Sequence, residues 1–320
     1  MNFLKRQRQT SKVTTGLCQR EDGLCLVHLE KGKEPFRLTV CDFLEGHQPG
    51  VEADGLLERV KLHRLTSATT VVVLELGRYN LYQLEPPEVP AAEVRDAVRW
   101  SLKDMLDFPL EEAVIDLFPV PYEDLRNRSR LVQVVVARFP EVQRQVELLR
   151  QARLKIVAID ITEFAIRNIV TLLPENSSGL VFIYFGAKRG LITIFRDSQL
   201  YLTRTINLGC FDLLRFSREE GGADPQVDPS PQLLELLASV VLEVQRSLDF
   251  FESTFFQDPI GNVVIGPLET PVPELLPYLQ QALGGTVRSL DLASILDCQG
   301  LSVEEQARAL PAIGGALRRE

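Results

Sequence analysis

Histidine and cysteine are scarce in this chain of 320 residues, with three of the former and five of the latter. The cysteines, Cys18, Cys25, Cys41, Cys210 and Cys298, are odd in number and include no C-x-x-C pair. The first three fall on strand positions, where a free cysteine behaves as a small buried hydrophobe. His28, His47 and His63 have no metal-ligand spacing with them, so no zinc site is expected. Long apolar runs are missing too: no stretch of ~20 apolar residues is present to span a bilayer. No signal-peptide core follows the basic N-terminal residues, and the chain is expected to stay in the cytoplasm. A net charge of -9 leaves no general cationic surface for nucleic acid. Nor does the sequence hold a Ser/His/Asp arrangement, a P-loop or an H-E-x-x-H motif.

What it does hold is soluble globular composition, 45% apolar and 25% charged, at a length that suffices for two domains. The organising stretch is Leu180 to Gly209, LVFIYFGAKRGLITIFRDSQLYLTRTINLG. Three β-rich runs there are separated by two short polar breaks, which predicts a three-strand meander whose first strand is covered on both faces. Val13 to Gln19, Gly23 to Glu30 and Phe36 to Leu44 predict a second meander, and Gly23-Leu24-Cys25-Leu26-Val27 lines up with Gly190-Leu191-Ile192-Thr193-Ile194. This is the mark of one wide internal duplication, giving two similar α/β halves.

In chain order, Met1 to Lys12 forms a basic arm with Lys5, Arg6, Arg8 and Lys12 and no acid. It is either a weak contact to an anionic lipid surface, through Lys5, Arg6 and Arg8, or a solvated start. After the first meander, a helix is expected over Gly55 to Leu65 and a buried strand over Thr69 to Leu76. Pro86, Pro87 and Pro90 take the chain out of the sheet. A helix from Ala91 to about Leu106, strands at Ala113 to Val120 and Arg130 to Ala137, and a helix over about Pro140 to Leu154 then form a small inserted subdomain, residues 80–154. The first half, 13–174, closes with a strand at Lys155 to Ile159 and a helix from Thr162. The second half, 175–310, holds the second meander, a helix of ~25 residues with Leu233, Leu237, Val240 and Val244 on its buried face, and further strand and helix material. Pro311 to Arg319, within 311–320, is expected to be a closing helix.

This order of elements resembles the actin-like (ribonuclease H-like) ATPase fold: two lobes with duplicated βββαβα halves and an inserted β-α-β-β-α subdomain. Within that fold it is similar to the PilM type of type IV pilus assembly protein, and to MshI, its counterpart in mannose-sensitive haemagglutinin (MSHA) pilus biogenesis. The stretches carrying the resemblance are Ala97-Val98-Arg99-Trp100 to Pro109-Leu110-Glu111-Glu112, Val157-Ala158-Ile159-Asp160, Gly186 to Gly209, and Arg246-Ser247-Leu248-Asp249-Phe250.

The resemblance implies a nucleotide site built on three turns. In ATP-binding members, an acidic residue followed closely by glycine in each first turn admits phosphate and helps hold Mg²⁺. Here the first turn reads Gly16-Leu17-Cys18-Gln19-Arg20, with Cys18 in place of the carboxylate and Arg20 in place of glycine. The second reads Tyr184-Phe185-Gly186-Ala187, with Tyr184 in place of the carboxylate, and the third Ile265-Gly266-Pro267-Leu268. Gly16, Cys18, Gly186, Ala187 and Gly266 are thus vestigial nucleotide-site candidates, no cofactor or metal is expected, and no ATP hydrolysis is expected. ATP binding without hydrolysis stays open. The implied role is a scaffold at the inner membrane that receives the N-terminal cytoplasmic tail of a single-pass, PilN-like assembly protein, in a groove between the inserted subdomain and the N-terminal half. Trp100, Met105 and Phe108 are candidate groove residues, or else core. The alternatives are an active actin-fold ATPase or kinase and a filament former.

Overall fold

The computed structural model describes residues 13–319 apart from 31, 33, 47–50, 91–92, 124–129, 219–228 and 256. Lys5, Arg6, Arg8, His47 and the loop around Arg126 therefore lie outside the described residues. The chain enters on a meander, β1 (Val13–Gln19), β2 (Gly23–Glu30) and β3 (Arg37–Glu45), and continues through α1 (Val51–Leu62) to β4 (Thr69–Leu74), parallel to β1. It leaves this sheet through β5 (Tyr79–Leu84), α2 (Val94–Ser101), β6 (Ala113–Glu123) and β7 (Arg130–Arg138). α3 (Phe139–Gln151) brings it back to β8 (Lys155–Ile161), which lies parallel to β4, and α4 (Thr162–Val170) follows. The second half repeats the plan: β9 (Leu180–Phe185), β10 (Gly190–Arg196), β11 (Gln199–Ile206), α5 (Cys210–Arg218), α6 (Pro231–Phe255), β12 (Asn262–Ile265), α7 (Leu275–Leu283), β13 (Thr286–Ser289) and α8 (Val303–Ala316).

The duplication is explicit in the strand orders. One five-stranded sheet runs β3-β2-β1-β4-β8 and the other β11-β10-β9-β12-β13, so each meander is extended by two parallel strands in the same sequence. The inserted subdomain has its own sheet, β5-β7-β6. Its last helix, α3, turns Leu148 and Leu149 onto Leu17, Leu56 and Val72 of the first lobe, with Ala152 just past its end in the same cluster. A parallel β4-to-β8 step needs a crossover element, and α3 serves as that crossover.

The two sheets share one core. α4 and α8 lie between them, and the cluster runs from Cys18, Val27 and Val73 of the first lobe through Ile166, Ile169, Leu310 and Ile313 to Phe182, Tyr184 and Val264 of the second. The outer face of the second sheet is covered by α6 and α7 through Leu237, Val244, Phe251 and Leu279. Each fully buried Leu or Ile contributes roughly 1.5–3 kcal/mol, so the layer between the sheets is a main source of cohesion between the lobes.

Three helices depart most from expectation. The helix expected over Gly55 to Leu65 begins earlier, at Val51, and the one expected from Ala91 to Leu106 is only Val94–Ser101. The closing helix does not start at Pro311: it starts at Val303, behind a capping box in which Ser302 and Glu305 satisfy each other's backbone N–H groups. Pro311 lies inside it, as do Gly314 and Gly315. Both glycines are needed for close packing: a Cβ on Gly314 would lie 2.2 Å from the Ala165 carbonyl oxygen and one on Gly315 2.6 Å from the Val73 side chain, while one on Gly16 of β1 would lie 1.9 Å from the Ala312 carbonyl oxygen. Close approach, not turn geometry, is the reason for glycine at these positions.

Candidate functional site

The two meanders place their first turns face to face at the mouth of the cleft between the lobes. On the first-lobe side, Cys18 sits near the end of β1 opposite Cys25 of β2 and is wholly buried, and that burial pushes its thiol well above the ordinary range. A neutral thiol there cannot act as a hard oxygen ligand. Tyr184 of β9, on the other side, is 1% exposed, with its phenol likewise pushed up by burial.

Arg20 is the centre of the arrangement. Its side chain is only 1% exposed, the largest of the fully buried side chains. Nε donates to Asp22 Oδ1 at 2.9 Å, while Nη2 crosses the cleft to Glu269, in the turn that follows β12. Burial pulls the guanidinium towards losing its proton, but the hydrogen bond to Asp22 and the charges of Glu269 and Asp22 outweigh that, so it remains a cation. Arg20 in turn helps hold the Asp22 carboxyl below the usual range. Arg308 of α8 stacks on the Phe43 ring, 3.3 Å from its centroid, and reaches Asp22 at 3.8 Å. Lys188 and Glu21 form a second, exposed pair across the mouth at 2.7 Å. Lys188 is therefore engaged in an ion pair with the opposite lobe.

Of the residues expected to cradle phosphate, Gly16 and Gly266 are taken up by packing and strand pairing, whereas Gly186 and Ala187 line the cavity between the turns. The carbonyls of Gly186 and Ala187 accept from Cys210 and Phe211 N–H, at 2.8 and 3.0 Å, and so cap the start of α5. Gly266 N–H extends the β9–β12 pairing by donating to the Ile183 carbonyl at 2.8 Å, and Gly16 is sealed under α8. Among the described residues, no group of three or more His, Cys, Asp or Glu side chains is arranged to hold a metal ion. Two carboxylates at the cleft mouth, Asp22 and Glu269, already share the Arg20 cation. These residues do not fit a metal–nucleotide at this position.

Two cavities flank the plug. One, about 380 Å³, lies between the turns: Glu21, Glu75 and Arg78 line it from the first lobe, and Gly186, Ala187 and Arg189 from the second. Glu75, just past the end of β4, is buried, and burial raises its pKa to about 7 against the pull of Arg20 and Arg78. The second, about 460 Å³, runs along β5: five consecutive residues, Tyr79 to Gln83, line it, with Thr203, Thr205 and Asn207 opposite and Arg189 shared with the first. Among the described residues β5 pairs only with β7, so its other edge is open to this cavity. At its base Glu163, 1% exposed at the start of α4, accepts from the Tyr79 hydroxyl at 2.5 Å, and burial raises its pKa to about 7.

Trp100, Met105 and Phe108 lie apart from this cleft. Trp100 is 70% exposed, and with Phe108, Leu106 and Pro109 it lines a cavity of about 430 Å³ built wholly from residues 100–111 of the inserted subdomain. Phe108 is half-buried under a stacked Arg138 guanidinium, 4.6 Å from its centroid. Met105 is exposed, does not line that cavity, and offers its carbonyl to the Tyr82 hydroxyl. The cavity that spans the boundary between the inserted subdomain and the first lobe is the one along β5, through Leu76, Gly77 and Glu163. Glu75 carried a sequence signal, an acid closing a β-branched run. Glu163 and Glu269 carried none, since only tertiary folding buries the one and brings the other to Arg20.

Residues 86–214 match the family model described as type IV pilus assembly protein PilM. The structure is similar to a chain of the "PilM-PilN type IV pilus biogenesis complex", at 21% identity over 95% of this chain and 97% of that one, with a TM-score of 0.70. It is also similar to a protein from Bacteroides thetaiotaomicron with an actin-like ATPase fold and unknown function, at 10% identity over 93% of this chain and 95% of that one, with a TM-score of 0.50. No curated protein matches the chain in sequence. The fold is the actin-like ATPase fold. Among the described residues, no helix is long and apolar enough to cross a membrane.

Proposed function

We propose that this chain is a scaffold of type IV pilus assembly, of the MSHA-associated MshI kind, that works at the inner membrane by holding the N-terminal cytoplasmic tail of a PilN-like partner. The observation that carries the reading is the cavity along the open edge of β5. An extended segment entering it gains main-chain hydrogen bonds as a fourth strand of the β5-β7-β6 sheet, and needs no catalytic residue to do so. The opposing wall of Thr203, Thr205 and Asn207 supplies side-chain hydrogen bonds, and Arg189 supplies a cation with no carboxylate partner among the described residues. The PilM match over residues 86–214, which takes in α2, β6, β7 and the second meander but not β5, supports the pilus-assembly part of this reading. The exposed Trp100 favours a second seat for the tail, the cavity it shares with Phe108.

The reading includes the absence of ATP hydrolysis, for which Cys18, Tyr184 and the buried Arg20 are the support. A phosphate-release assay with Mg²⁺ should give no turnover, and turnover abolished by Gly186→Arg would refute this part.

The test of the scaffold role is calorimetry with a synthetic peptide covering the cytoplasmic N-terminus of the PilN-like protein of the same pilus system. Thr205→Arg, which fills the β5 cavity, should weaken binding at least about tenfold, the loss of roughly 1.4 kcal/mol. Trp100→Ala should leave it unchanged; the opposite pattern moves the seat to the Trp100 cavity. No binding by the unaltered protein would sink the proposal.

A further inference from the structure

The buried arginine does more than fill space. It is tied at one end to the β1–β2 turn through Asp22 and at the other to the turn after β12 through Glu269, residues that belong to different lobes. Around it, Arg308 on Phe43 adds α8 and β3 to the same network, and Glu21–Lys188 repeats the crossing nearer solvent. In a fold whose cleft can be bridged by a nucleotide and its metal, the bridging charge arrives as a ligand. Here it is covalently part of the chain.

We propose that Arg20 is a built-in substitute for the bridging ligand: the Asp22–Arg20–Glu269 bridge keeps the cleft mouth closed at all times, so closure in this protein does not answer to nucleotide. The inference rests on the reading that this cleft takes no metal–nucleotide, and it goes further by assigning Arg20 a positioning role. The wall of the β5 cavity formed by Thr203, Thr205, Asn207 and Arg189 belongs to the second lobe, whereas β5 is attached to the first. The distance between these walls therefore depends on how far the mouth is closed, and Arg20 helps to fix it beside the shared α4–α8 core and the Thr203–Glu163 hydrogen bond. Charge and hydrogen-bond geometry both matter. Arginine presents a planar fork that can serve two carboxylates at once, whereas lysine is a point charge.

Hydrogen–deuterium exchange on the full chain tests this, read at peptides covering 20–23, 186–190 and 266–270, with and without Mg²⁺–ATP. In the unaltered protein these turns should be protected, and nucleotide should change nothing. Glu269→Gln and Arg20→Met should each raise exchange at all three turns by about tenfold or more, because a turn opens locally as readily as the interactions pinning it allow. Unchanged exchange in α6 is the check that the fold persists. Arg20→Lys should restore part of the protection. If Glu269→Gln and Arg20→Met leave the turns as protected as before, the closing role of Arg20 is wrong while the scaffold reading stands. If Mg²⁺–ATP is what protects the turns, both this inference and the nucleotide-free reading fall, and peptide binding still tests the scaffold separately.

Discussion

Replacing Glu163 by glutamine should make the protein markedly more stable at pH 8 and much less so at pH 5. Glu163 is buried at the start of α4 with the Tyr79 hydroxyl on one oxygen and Thr203 near the other, and burial raises its pKa from 4.5 to about 7. In the unfolded chain it titrates near 4.5, so between these two values the folded state binds more protons. Stability therefore falls as pH rises through that window, with the loss complete above the folded value. A rise of ~2.5 units at ~1.36 kcal/mol per unit is roughly 3 kcal/mol, a sizeable part of the 5–15 kcal/mol typical of a folded protein. Glutamine keeps an acceptor for Tyr79 and never ionises, so the variant should lack this part of the pH dependence. The assay is urea unfolding at pH 5 and pH 8 followed by far-ultraviolet circular dichroism, since Trp100, the single tryptophan, is exposed and a poor reporter. A Glu163→Gln protein whose stability differs from the original by the same amount at both pH values would refute the reasoning.

Three further outcomes are expected. Gly16→Val should displace α8 from β1, because a Cβ there meets the Ala312 carbonyl oxygen at 1.9 Å; a loss of about 3 kcal/mol or failure to fold is expected, measured by thermal unfolding and expression. Leu310→Ala, in the layer between the sheets, should cost about 2–5 kcal/mol in chemical denaturation. Trp100→Ala should change stability by no more than about 0.5 kcal/mol in the same experiment, because the side chain is mostly in solvent.

The strand plan was legible because it rests on local pattern. Alternation and β-branched runs mark β4 and β9, and Pro86, Pro87 and Pro90 interrupt any strand or helix that would cross them. The packing role of α3 was not legible, since nothing within 139–151 says which of two sheets its apolar stripe will meet. Nor was the start of α8: Pro311 reads locally as the first turn of a helix, and its place inside one, like the fit of Gly314 and Gly315, depends on what that helix lies against. At the cleft, the sequence identified Cys18, Tyr184 and Arg20 as departures from a phosphate turn. It could not supply Glu269, 249 positions away, as the carboxylate that completes the Arg20 bridge. Burial of Glu75 and Glu163, and hence their raised pKa values, likewise arises only once the lobes and the inserted subdomain have met.

The placement of α8 has a bearing on how the protein is made. β1, β2 and β4 emerge from the ribosome early, yet the helix that covers their inner face is encoded beyond residue 302. Until it arrives, a nascent first lobe carries an apolar surface that α4 covers only in part, which is the kind of surface that recruits chaperones or aggregates. Translation paused anywhere before Val303 should therefore leave a chain that is protease-sensitive in both halves, and release of the last segment should convert it to a resistant form in one step.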